Sequence, residues 1–181
     1  MPRLLENSGT VADAHFAVVA TQFHADIVDA LLEGSLAGLA AAGVPRGAVR
    51  VERVPGAFEL PVACQEIAAT RRYAAVIALG CVIRGETTHF DYVAGECCRG
   101  LMDAGLRTGI PVILGVLTTD DLAQARRRAS RGALRGSAPD AAESAGAAGK
   151  TAPESNKGWE CAQTALAMAA LLGRVRAEEN A

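Results

Sequence analysis

Four short runs of branched apolar residues stand out along the chain: His15–Thr21 (HFAVVAT), Val49–Val54 (VRVERV), Ala74–Cys81 (AAVIALGC) and Val112–Thr118 (VILGVLT). Each has strand length and strand composition. Three are almost continuously hydrophobic, as strands covered on both faces are. Between them the apolar positions take up helical spacing. Ile27, Val28, Leu31, Leu32, Leu36 and Leu39 mark one stripe, and Leu60, Val62, Ala63 and Ile67 a second. Phe90, Val93, Ala94, Cys97, Leu101 and Met102 mark a third, and Cys161, Ala162, Leu166, Ala169, Leu172 and Val175 the last. Strand and helix alternate, which predicts an α/β fold. The expected form is a three-layer sandwich with a mainly parallel four-stranded sheet, helices on both faces and right-handed crossovers.

Two stretches lie outside this pattern. Residues 130–156 are almost wholly Ala, Gly, Ser, Pro and charge, and read as a long flexible insertion between two helices. Residues 1–13 form an N-terminal arm with only Leu4 and Leu5 as anchors. No internal repeat interrupts the rest, so all 181 residues are expected to make one domain with one sizeable core.

Ligands of such sheets bind beyond the carboxyl ends of the strands. Polar chemistry follows each run there: Gln22-Phe23-His24, Pro55-Gly56-Ala57-Phe58-Glu59, Val82 to His89, and Thr118 to Asp121. One pocket could gather the first three. Neither GxGxxG after the first strand nor GxxxxGK[ST] anywhere is present, which weakens the dinucleotide and P-loop readings.

The turn after the third run is the densest in candidate chemistry. Thr88-His89-Phe90-Asp91 has the form of a capping box, with the Thr88 hydroxyl accepting from the Asp91 amide and the Asp91 carboxylate reaching back. That puts His89 in the first turn of a helix. Free amides and the helix dipole attract an anion there, and Gly85 lets a ligand approach the backbone, so Gly85–Thr88 could cradle a phosphate. On the residues alone the loop reads equally as a capped helix start; the histidine, which a cap does not need, tilts the balance. Phe23 sits where the chain must turn, suited either to stack on something flat or to fold back over the core. Pro55–Glu59 offers a tight turn, helix-start amides and a carboxylate for hydroxyls, or simply ends a strand and starts a helix.

Composition narrows the classes. Half the residues are hydrophobic but only 4% aromatic, so the core is aliphatic, and such surfaces also suit subunit packing. A net charge of −2 provides no overall field for nucleic acid or an anionic membrane. The basic run Arg126, Arg127, Arg128, Arg131 and Arg135 lacks interleaved aromatics and reads as a solvated helix face. Five cysteines without a CxxC pair point to structural thiols, a reducing compartment and no metal. No segment reaches the ~18 apolar residues of a membrane span and no signal peptide opens the chain, so a cytoplasmic protein is expected.

Pro55–Pro61 (PGAFELP), Ala78–Tyr92 (ALGCVIRGETTHFDY), Pro111–Thr119 (PVILGVLTT), Gln124–Ala129 and Asn156-Lys157-Gly158 together resemble the 6,7-dimethyl-8-ribityllumazine synthase family. The matches run in order over nearly all of residues 15–175 except the insertion. The resemblance implies a flavodoxin-like fold and, without cofactor or metal, condensation of 5-amino-6-(D-ribitylamino)uracil with 3,4-dihydroxy-2-butanone 4-phosphate to the lumazine, phosphate and water. It implies that Phe23 stacks on the pyrimidine, that Ala57, Phe58 and Glu59 hold the ribityl side, and that Val82 and Ile83 present backbone groups. Gly85, Glu86, Thr87, Thr88 and Arg128 would bind phosphate, Lys157 would reach the pyrimidine side, and His89 would move protons.

Three positions depart from the family. His24 replaces a frequent Asn, Leu114 replaces a Phe that reaches a neighbour's site, and the insertion exceeds the usual short linker before Lys157. The family also implies a homopentamer with sites between subunits, in some members assembled into shells, and a riboflavin synthase as the recipient of the product. An insertion at this joint would interfere with packing between pentamers, which leaves an isolated pentamer as the expectation. Two other classes compete: a non-catalytic flavin- or lumazine-binding assembly protein, and a purely structural assembly protein. The His89, Glu59 and Arg128 set argues against both.

Overall fold

The computed structural model describes residues 14–132 and 155–179. The N-terminal arm, Arg135 and most of the insertion lie outside them. All four apolar runs form strands: β1 (Phe16–Thr21), β2 (Val49–Val54), β3 (Ala75–Ile83) and β4 (Val112–Thr119). They are hydrogen-bonded in the order β2-β1-β3-β4, and every pair is parallel. β3 runs two residues past its expected end, because Val82 and Ile83 continue in register with Thr118 and Thr119. Parallel neighbours cannot be joined by hairpins, so the chain returns through α1 (Ala25–Ala41), α2 (Leu60–Ala69) and α3 (His89–Thr108), and continues after β4 into α4 (Leu122–Arg128) and α5 (Lys157–Glu179).

Alternation along the strands separates two cores. Phe16, Val18 and Ala20 of β1, with Ile77, Leu79, Ile113 and Leu117, pack with residues of α1, α4 and α5. Ala17 and Val19, with Val76, Ala78 and Val116, pack with residues of α2 and α3. The expected stripes need three corrections, the first at the end of α5, where Val175 is 42% exposed. In α2 the buried row is Leu60, Cys64 and Ala68, spaced by four, which turns Val62 outward. In α3 Leu101 is buried, so its neighbour Met102, about 100° round the helix, is 64% exposed. Four of the five cysteines are buried. Burial pushes the thiols of Cys81 and Cys161 up to about 11 and that of Cys97 up to about 12, and raises Cys64 too, so they behave as small apolar side chains. No described helix is long and apolar enough to cross a membrane.

α5 seats on α1 through glycine and one buried amide. A Cβ on Gly158 would stand 1.8 Å from the Leu31 carbonyl oxygen, and one on Gly34 2.0 Å from Asn156 Oδ1, so neither position has room for a side chain. Asn156 Nδ2 donates to the carbonyls of Ala30 (3.1 Å) and Ser130 (3.3 Å), while its Oδ1 accepts the Trp159 amide (3.1 Å) and caps α5. The Ser35 hydroxyl donates to the Gly158 carbonyl at 2.9 Å. Trp159, the only tryptophan, lies in this joint beside Gly38. The chain leaves and re-enters next to it: the Ser130 amide donates to Ser155 O and the Ser155 amide to Arg127 O, both at 3.0 Å, and Ala129 pairs with Asn156 in an antiparallel bridge.

Asn156→Ala removes three buried or part-buried hydrogen bonds, including the side-chain donor to the Ala30 carbonyl and the cap of α5. The expected loss is about 2–4 kcal/mol of unfolding free energy, read as a lower urea midpoint; an unchanged midpoint would show that the joint does not depend on this amide.

Candidate functional site

Because the strands are parallel, their carboxyl ends share one edge of the sheet. The turns after β2, β1 and β3 are neighbours there, with the crevice between β1 and β3, whose following helices α1 and α3 lie on opposite faces.

The β1 turn is clamped by backbone. The Gln22 amide donates to Val54 O at 2.8 Å, and the Arg53 guanidinium donates to Thr21 O (3.3 Å) while pairing with Asp29 of α1 at 2.5 Å. His24 is left-handed (φ 54°, ψ 50°), and its carbonyl accepts from Ile27 and Val28 at 3.0 Å each. This accounts for the His-for-Asn departure in backbone terms, since Asn and His are among the few residues enriched at positive φ. Phe23 is consequently thrown outward. It is 67% exposed, its ring edge-on to His24 at 5.1 Å, and it does not fold back over the core.

After β2, Gly56 is extended and Ala57–Glu59 makes one 3-10 turn before α2. Ala57 is buried, whereas Phe58 (61%) and Glu59 are exposed. The Glu59 carboxylate lies over Gly56, where a Cβ would come within 3.1 Å of Oε2.

The β3 turn overturns one expectation: the capping box does not form. Thr88 is helical (φ −68°, ψ 0°) rather than extended, and its side chain caps nothing; only its backbone carbonyl accepts, from Asp91 at 3.0 Å. The Asp91 carboxylate is taken instead by the Arg84 guanidinium, at 3.1 Å (Nη2 to Oδ1) and 3.4 Å (Nη1 to Oδ2). His89 still opens α3, exposed, its amide donating to Thr87 Oγ1 at 3.4 Å. Among the described residues, the amides of Gly85, Glu86, Thr87 and Thr88 donate to no protein acceptor. A Cβ on Gly85 would meet nothing within 4 Å, so the fold of the described chain does not itself require this glycine.

Phe23, Ala57, Phe58, Glu59, Val82, Ile83, Gly85, Glu86, Thr87, Thr88 and His89 thus belong to adjoining turns of one edge. Leu114 lies apart from them, while Arg128 and Lys157 lie by the α1–α5 joint. Leu114 pairs with Ala78, four residues before Val82, which sets it roughly 13 Å back along the strand. It is 44% exposed on the edge strand, and its carbonyl accepts from Cys161 Sγ at 3.6 Å. Lys157 lies one turn before Cys161 and pairs with Glu160 at 3.0 Å. Arg128 ends α4 beside the Ala129–Asn156 bridge, exposed, with none of the described carboxylates as partner. By contrast Arg126 pairs with Asp26 (3.8 Å) and Arg131 with Glu33 (2.6 Å), whose carboxyl it holds below the usual range chiefly by hydrogen bonding. Arg128 and Lys157 therefore flank one anchored joint whatever the length of chain between them.

Sequence reasoning passed over Arg84 and Arg53. Their partners lie up to 36 residues away, and no local pattern announces such pairs.

The family model described as 6,7-dimethyl-8-ribityllumazine synthase matches residues 13–173. A relative of that name from Syntrophus aciditrophicus (strain SB) is 38% identical over 175 residues, covering 97% of this chain and all of the relative. Another of that name, from Thermosynechococcus vestitus (strain NIES-2133 / IAM M-273 / BP-1), is 44% identical over 161 residues, 87% of this chain and 78% of the relative.

The left-handed backbone at position 24 predicts that His24→Asn unfolds at the wild-type denaturant midpoint, while His24→Val, β-branched at positive φ, loses about 1–2 kcal/mol. Equal midpoints for the two variants would refute this account of the turn.

Proposed function

The chain belongs to the 6,7-dimethyl-8-ribityllumazine synthase family, and from that premise we propose how its own residues divide the condensation of 5-amino-6-(D-ribitylamino)uracil with 3,4-dihydroxy-2-butanone 4-phosphate. The observation that carries the reading is the run of four backbone amides without protein acceptors, Gly85 to Thr88, beside His89 on the turn next to exposed Phe23.

The amides and the α3 terminus bind the phosphate, with open space at Gly85 for its approach. Phe23 stacks on the pyrimidine face, and Glu59 accepts hydrogen bonds from ribityl hydroxyls, with Ala57 and Phe58 along the chain. Val82 and Ile83 offer backbone groups to the pyrimidine ring. Joining the 5-amino group to the ketone as a Schiff base requires protons to be delivered to the departing water. Expelling phosphate requires a proton to be taken from carbon while the leaving anion stays held. A histidine at the rim of an anion site serves both steps, and positioning the two substrates supplies much of the rest.

Leu114, Arg128 and Lys157 act in the site of a neighbouring subunit. The setback of Leu114 along β4 supports this, as does the apolar surface of the α2–α3 face, where Val62, Tyr92, Met102 and Leu106 are exposed. The assembly is an isolated pentamer working in the cytoplasm, with a riboflavin synthase consuming the product. Nothing in the site favours the non-catalytic carrier.

Lumazine absorbance from the two substrates, followed against the slow spontaneous reaction, tests the chemistry. Wild type is expected to exceed background, with His89→Ala lower by on the order of 10²-fold in kcat and Phe23→Ala raising the pyrimidine KM about tenfold. A wild type no faster than background, yet binding the pyrimidine, would replace the enzyme with a carrier. Light scattering tests the assembly separately: a mass of five subunits is expected, and a shell-sized particle or a monomer would overturn it.

A further inference from the structure

Arg84 is the most heavily engaged side chain near the β3 turn. Its guanidinium lies between two carboxylates, Asp91 in the first turn of α3 at 3.1 Å and Asp120 after β4 with Nε to Oδ1 at 3.3 Å. Its carbon is 4.1 Å from the centre of the Phe90 ring, and its backbone amide donates to Thr119 O at 2.9 Å. One residue thereby ties the end of β3, the first turn of α3 and the loop after β4. These ion pairs are largely exposed, the arginine side chain 43% and Asp120 72%, and exposed pairs add little to stability. The network therefore needs another explanation.

Charge provides one. Asp91 and Asp120 put two negative charges beside the amides of Gly85–Thr88, where a phosphate would bind, and Arg84 leaves the trio at −1 rather than −2. We infer that Arg84 is a positioning residue for phosphate recognition: it offsets half the negative charge of Asp91 and Asp120 and, by bridging both, holds the Gly85–His89 turn in its anion-accepting form. This rests on the phosphate cradle proposed above. Arg84 acts on the turn rather than on the phosphate, because Nε, Nη1 and Nη2 all face carboxylates. The planar fork is needed, since lysine can address one carboxylate but not two in this geometry.

The test compares wild type, Arg84→Gln, Arg84→Lys and the double variant Arg84→Gln/Asp120→Asn. Four quantities are measured: KM for each substrate, Kd for inorganic phosphate by calorimetry, and the melting temperature. Arg84→Gln is expected to raise the KM of the butanone phosphate and the phosphate Kd at least tenfold, with the pyrimidine KM within twofold of wild type. Arg84→Lys falls in between. Adding Asp120→Asn removes one excess negative charge, and should bring phosphate binding back to within threefold of wild type without restoring any lost melting temperature. Phosphate binding unchanged in Arg84→Gln overturns the inference. So does a parallel rise in both KM values that Asp120→Asn fails to reverse, which would mark a merely structural arginine. If wild type itself makes no lumazine above background, the proposed function fails, and the phosphate Kd values still decide the role of Arg84.

Discussion

Everything in this molecule follows from a ladder whose four strands point the same way. Such a ladder cannot be closed by tight turns, so each return passes through a helix. The helices cover both faces, and the turns with chemistry to offer collect at one edge. Position in the strand order then decides which turns meet. β1 and β3 are central neighbours, which sets the exposed Phe23 ring on one side of the crevice and the unpartnered amides of Gly85–Thr88 on the other. An exposed aromatic ring and a run of amides without acceptors among the described residues end up on adjoining turns.

Much of this was legible in the residues because double-sided burial writes itself as an unbroken apolar run. β1 and β3 were readable for that reason, β4 because VILGVLT is apolar almost throughout although Leu114 is exposed on the edge, and β2 because VRVERV keeps branched side chains on a half-exposed edge. The helical stripes were readable only in their inner rows, since a spacing rule does not tell whether a flanking Val62 or Met102 is covered. The turns were readable as motifs and not as geometry. Thr88-His89-Phe90-Asp91 looks like a capping box, but the Asp91 carboxylate has a stronger offer from Arg84 seven residues earlier, and charge takes it away from the backbone. Nor does the string reveal that Leu114 lies level with Ala78, far from the edge where Phe23 and His89 lie. That fact belongs to register, which exists only once strands pair.

The α1–α5 joint complements the edge. Arg128 and Lys157, separated in the chain by the long Ala/Gly/Ser segment, lie on either side of the Asn156 amide, whose three hydrogen bonds join α1, the end of α4 and the start of α5. The bonds between Ser130, Arg127 and Ser155 close the segment at its base. Closing a longer loop costs only about 0.6 kcal/mol per doubling of its length, so an insertion here is cheap.

The same joint contains the only indole of the molecule. Trp159 donates its amide to Asn156 Oδ1 and lies beside Gly38, away from the Phe23 and His89 turns. Intrinsic ultraviolet emission therefore watches the seating of α5 on α1 and little else, so light reports loosening of the scaffold at one wavelength while the chromophore being made reports turnover at another.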